Sequence, residues 1–246
     1  MELHLHISGR MSGDMFIAAV LDAFPDYEDA AIEAIDAVSE AYPVDCRLQA
    51  VRSQHIRGRQ FIIEPYTEYF GHIAADPNEE RESWGTLRQR LQSAQLPAGV
   101  RRHAMGILMQ PTRKQVAGQD ISLDAVSFVK RDAWQLMTQA VGAAALIDGL
   151  GSARWAAHTA SRDFASPIGE GILIHLGVHP HHAQAQTPSG NSAGAILRSG
   201  LGLADPAHSP GQGEVRINCF DDLGAGADSR AEIDNPAPGD QEGRRS

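Results

Sequence analysis

Three kinds of residue in this chain could do chemistry: closely spaced histidines, a carboxylate in a glycine-rich turn, and two hydroxyl- or glycine-rich loops. The turn runs His6-Ile7-Ser8-Gly9-Arg10-Met11-Ser12-Gly13-Asp14-Met15. Ser12 and Gly13 precede an apolar helix, so backbone N–H groups and the helix dipole would face an anion there. Asp14 could hold a cation that bridges to phosphate. The spacing is not that of a Walker A loop, which needs Lys followed by Ser or Thr. The plain alternative is a corner capped by Ser12 or Asp14, with Gly13 chosen for its backbone angles.

His4 and His6 sit two apart on one side of an alternating segment, a spacing that can ligate one metal or simply form a solvated strand face. The densest histidine group is His175, His179, His181 and His182, stiffened by Pro180. Imidazole suits nickel, zinc or copper, and a histidine-rich surface loop is the alternative. Thr187, Ser189 and Gly190 lie in a turn before Ala-Gly-Ala-Ile-Leu, and Gly224 and Gly226 lie in a second small-residue loop. Both suit a phosphate, and both are common as plain turns. There is no nucleophile elbow, no HExxH and no zinc-finger spacing.

The elements that must position these residues follow from periodicity. Leu3, Leu5 and Ile7 alternate with polar residues, which predicts a strand with one buried face. Residues 15–24 read as an apolar helix stopped by Pro25, and residues 27–42 as a second helix with Ala30, Ile32, Ile35, Ala37 and Val38 near its buried side. Residues 44–52 and 59–65 read as a hairpin turning at Gly58. Helices follow over 83–95, capped by Ser83, over 96–118, interrupted at Pro111, and over 132–150, where Gly142 to Ala145 suit a close packing contact. Residues 171–178 and 214–220 read as strands. The polar end, residues 234–246, reads as a disordered tail, and residues 1–233 as one region. The fold class expected is α/β or α+β, an open sheet with helices packed on it.

The formal net charge of −10 disfavours nucleic acid and anionic membrane as partners. No apolar run approaches a membrane span, and the first residues are not a signal peptide. The two cysteines, Cys46 and Cys219, make no disulfide framework. The expected compartment is the cytoplasm.

The order of motifs resembles the LarC-type nickel insertion proteins. It runs from Ser12-Gly13-Asp14-Met15 through Val141-Gly142-Ala143-Ala144 and Thr187-Pro188-Ser189-Gly190 to Gly224-Ala225-Gly226. The resemblance implies insertion of nickel into a pyridinium bisthiocarboxylate mononucleotide, linked to CTP with a divalent cation such as Mn or Mg, to assemble a nickel-pincer cofactor. It implies a nickel-inserting cyclometallase of the lyase class. Asp14 would then be the catalytic and cation-holding carboxylate. His6, His179, His181 and His182 would be nickel ligands, and Ser12, Gly13, Thr187, Ser189, Gly190, Gly224 and Gly226 would hold the nucleotide. The chain departs from the family at His6, where an Asp is usual, and over Ser127 to Gln135, where a His/Glu/Asp run is usual. A separately encoded C-terminal half, a homologous subunit or a homo-oligomer are the partners this suggests. The alternative is a degenerate, non-catalytic paralogue that binds a nucleotide or a partner.

Overall fold

The computed structural model describes residues 1–40, 44–53, 56–65, 80–118, 120–159, 165–178, 181–182, 195–204 and 213–221. Its centre is a helix that is apolar all round. Helix α1 (Gly13–Ala23) buries Met15 to Leu21 without a break, and such a helix must be covered on every side. On one side it lies on a sheet. On the other it meets α5 (Lys130–Leu150), around which α2 (Glu28–Val38), α4 (Ala98–Val116) and α6 (Pro167–His175) also gather. The α/β class is as expected. Helix α3 (Trp84–Ser93) packs on α4, and Ser83 caps it by accepting from the Thr86 N–H at 3.1 Å.

The sheet has seven strands: β1 (Glu2–Ser8), β2 (Val44–Ser53), β3 (Ile56–Pro65), β6 (Arg154–Thr159), β7 (His181–His182), β8 (Ile196–Leu203) and β9 (Glu214–Phe220), in the order β2-β3-β8-β9-β1-β6-β7. Strands β4 (Arg81–Ser83) and β5 (Ser127–Val129) form a separate pair. Strand β1 runs antiparallel to β9 and parallel to β6. Its Leu3, Leu5 and Ile7 face the helices together with Val215, Ile217 and Cys219. Glu2, His4 and His6 therefore face the other side, because strand side chains alternate.

Glycine lets α1 approach the sheet. On β8, a Cβ at Gly202 would fall on the Met15 carbonyl and lie 2.8 Å from the Ala19 nitrogen. One at Gly200 would fall on the Ala19 carbonyl. Across α1, a Cβ at Gly142 would meet Ile17 Cδ1 at 2.9 Å and Ile35 Cδ1 at 3.0 Å.

Several expectations are corrected. Residues 171–178 are not a strand: most of them form α6, started by Ser166, whose hydroxyl accepts from the Gly169 N–H, and by Pro167 in the first turn. Gly58 is not the hairpin turn but sits inside β3, where a Cβ would press on the Leu201 carbonyl at 2.9 Å. Helix α4 is not interrupted, for Pro111 lies within it. The Ile107 carbonyl, left without the N–H that Pro lacks, abuts the backbone of Gly171. Ala30 is exposed, and Ala31 and Ala34 take the buried face of α2. The tail at 234–246 lies outside the described residues.

Overpacking the helix–sheet contact should cost stability. Gly202→Ala is expected to lose at least ~2 kcal/mol, lowering the melting midpoint by roughly 4 °C or more. Gly85→Ala, where the nearest atom would be 3.5 Å from the new Cβ, should be neutral or slightly stabilising. A thermal melt of both variants checks the pair.

Candidate functional site

The turn after β1 is a held corner. Gly9 takes the left-handed conformation, φ 76°. Arg10 Nε donates to the Ala165 carbonyl at 3.2 Å, and Met11 pairs with Ala165 in an isolated parallel bridge. The Ser166 N–H donates to the Met11 carbonyl at 2.8 Å. Ser12 occupies the cap position of α1 in extended geometry, yet its hydroxyl makes no capping bond and is buried without a hydrogen-bond partner. Gly13 is required for space and not for backbone angle: a Cβ would lie 2.8 Å from Gln139 Cβ and 2.9 Å from Ile168 Cγ2. Asp14 sits in the first turn, favourably placed at the positive end of the helix dipole, and accepts from Gln139 Nε2 at 3.1 Å. Ser12, Gly13 and Asp14 are thus together where α1, α5 and α6 meet.

The histidines form a row on the opposite face of the sheet. Residues paired in register share a face. Arg216 on β9 pairs with His6 on β1, His6 with His158 on β6, and His158 with His181 on β7. The His6 and His158 rings stack with centroids 5.1 Å apart, and His4 lies 5.6 Å from His158. Partial burial, then the neighbouring His158, His4 and Arg216, hold His6 below the usual histidine range. At neutral pH it therefore carries a free lone pair, the state a metal needs. His4 Nε2 is also 3.1 Å from Glu2 Oε1. Among the described residues no three His, Cys, Asp or Glu side chains are close enough to hold a metal ion. His181 enters the row by its register position.

The other sequence candidates separate. His182 pairs with Thr159, one register position along β7 from His181. His179, Thr187, Ser189, Gly190, Gly224 and Gly226 lie outside the described residues. His175 does not join the cluster expected from sequence. It ends α6, where its Nε2 is 2.8 Å from His103 Nδ1, and His103 Nε2 is 3.8 Å from Asp148 Oδ1. His158 was missed by sequence reasoning. The only signal was the alternation Arg154-Trp155-Ala156-Ala157-His158-Thr159, whose register against β1 no local pattern gives.

The family model for nickel insertion protein matches residues 3–172, well over half of the chain. The chain belongs to the nickel insertion protein family. No curated protein and no solved structure matches it. The matched span holds β1, the held corner, α1, α5 and β6, and so includes Asp14, His6 and His158. This family member handles nickel. No helix among its described residues is long and apolar enough to cross a membrane.

The His103–His175 contact of this nickel insertion protein gives a pH prediction. Burial, followed by nearby Arg102 for His103 and by His103 for His175, lowers both from the ordinary value of 6.5. The unfolded chain then binds more protons than the folded one below that value. The stability they contribute is present above about pH 6.5 and is lost as pH falls toward the lowered folded values. His175→Gln should show a smaller loss of urea midpoint between about pH 7.5 and about pH 5.5 than the parent chain. An equal loss in both would assign the acid sensitivity elsewhere.

Proposed function

We propose that the chain takes part in assembling a nickel-pincer cofactor, delivering Ni²⁺ to a pyridinium bisthiocarboxylate mononucleotide. The observation that carries the reading is the stacked imidazole pair His6–His158 inside a nickel insertion protein, with His181 next to it in strand register. Ni²⁺ is cargo here. Imidazole from β1 and β6 meets it on the sheet face away from the helices, and the low proton affinity of His6 keeps it ready at neutral pH. The bonding chemistry belongs to the metal and to the sulfurs of the acceptor, and the protein contributes position and charge neutralisation. Asp14, oriented by Gln139, is the carboxylate for a divalent ion beside phosphate, Mn²⁺ or Mg²⁺, in the CTP-linked step that the family resemblance brings. The orphaned Ser12 hydroxyl next to it offers a donor to a ligand oxygen. His179, Thr187, Ser189, Gly190, Gly224 and Gly226 keep the metal and nucleotide roles the resemblance gives them. The cytoplasm is the compartment proposed.

A second reading is favoured by the segment Ser127 to Gln135, where β5 runs into α5. Its Lys130 donates to Glu80 at 2.6 Å. The segment offers one carboxylate, Asp132, beside Lys130, Arg131 and Gln135, too few ligands for a metal centre. On this reading the protein is a non-catalytic module that binds a nucleotide or a homologous subunit.

Calorimetric titration with Ni²⁺, then with CTP and Mn²⁺, separates the two. On the first reading nickel binds stoichiometrically and His158→Ala weakens it about tenfold or more. Asp14→Ala keeps nickel binding but abolishes CTP-dependent insertion into the mononucleotide. CTP binding with no nickel binding would establish the module instead.

A further inference from the structure

At the far end of the sheet from the histidines, the hairpin β2–β3 and the last turns of α1 enclose an open cleft of about 510 Å³, lined by Asp22, Val51, Arg52, Arg57, Gly58 and Arg59 among others. Its volume falls in the range of small-molecule sites. Arg52 and Arg57 are directly opposite each other across the hairpin. Cross-strand partners share a face with Cβ atoms about 5 Å apart, and like charges so placed repel. Both are exposed, and neither makes a hydrogen bond or ion pair among the described residues.

The third guanidinium, Arg59, faces the same side two residues on. Its Nε donates to Asp22 Oδ1 at 3.2 Å. The second oxygen of Asp22 is already taken by the Leu201 N–H at 3.0 Å. Among the described residues lining the cleft, three guanidiniums stand beside one carboxylate, Asp22, and its two oxygens are taken by Arg59 and Leu201. The other end of the same hairpin does not show this imbalance: Arg47 has both Asp45 and Glu64. In a chain of net charge −10, two facing arginines without an acid are not explained by folding, because they cost stability.

We infer that this cleft is a binding site for a phosphate dianion, either free or as the phosphomonoester of a small molecule. Two guanidiniums held on one strand face match tetrahedral phosphate oxygens and can each donate in parallel pairs. A dianion supplies the two missing negative charges, which a single carboxylate does not. The cleft opens on the helix side of the sheet at β2 and β3. The histidine row lies on the other side at β1, β6 and β7. The inference is therefore independent of the nickel reading, and either can fail alone.

The test titrates the whole chain at low salt with inorganic phosphate, phenyl phosphate, CMP and succinate. Saturable one-to-one binding of inorganic phosphate or a phosphomonoester is expected, weakened about tenfold or more by Arg52→Gln and by Arg57→Gln and falling with added salt. Without ligand both variants should melt no lower than the parent chain, since each removes a like-charge pair, and their Ni²⁺ titrations should be unchanged. Phenyl phosphate binding as well as CMP assigns the contact to the phosphate group, and tighter CMP binding adds a nucleoside contact. Absence of saturable phosphate, phenyl phosphate and CMP binding, equal binding in both variants, or preference for succinate would each overturn the inference.

Discussion

Everything in this molecule is arranged around the need to cover α1. Its residues from Met15 to Leu21 are all buried, which removes on the order of ten kcal/mol worth of apolar surface from water. The gain exists only if backbone comes close on two sides at once. Gly200 and Gly202 allow this on the strand side, and Gly142 and Gly13 allow it on the helix side. The same closeness fixes Asp14 at the α1–α5 contact, where Gln139 finds it. Helix α1 thus acts as a wedge between the sheet and the other helices, and the corner that begins it cannot move independently.

Placing that layer on one side of the sheet sorts the chemistry by face. The alternation that buries Leu3, Leu5 and Ile7 also aligns His4 and His6 outward. The parallel pairing of β1 with β6 then brings up His158 from across the whole helical layer. The carboxylate corner and the imidazole face are consequently joined through one strand: His6 lies two residues before the end of β1, and Asp14 one residue into α1. A reaction using both would work around the end of this strand, with the metal and phosphate ends of its substrates approaching from different sides.

Local pattern made much of this readable. The β1 alternation, the Pro25 stop, the Ser83 cap and the small-residue run in α5 each have a short-range cause and are found as expected. The failures have long-range causes. Residues 171–178 are β-branched and apolar enough for a strand, but Ser166 and Pro167 start a helix that α4 then covers. Gly58 looks like turn chemistry in isolation, yet its reason lies on β8, about 140 residues later. Pro111 sits inside α4, and the side of the helix with the carbonyl it leaves bare is packed closely against Gly171 of α6. For the candidate site, Asp14 was legible because its turn carries the Ser12-Gly13-Asp14-Met15 motif, and His6 because its spacing from His4 on an alternating strand is a local pattern. His158 was not, since a register between strands 150 residues apart leaves no local trace.

The position of β1 in the chain has a consequence for biosynthesis. It is one of the central strands of the sheet, but its two neighbours are β6, at residues 154–159, and β9, at residues 214–220. A ribosome adding roughly 5–20 residues per second needs on the order of ten to forty seconds to reach β9 after β1 has emerged. Until β6 emerges, β1 has no strand beside it, and until β9 emerges it is paired on one edge at most. The segment that organises the finished molecule thus emerges first and is completed last, with an unpaired strand edge exposed while the rest of the chain is made.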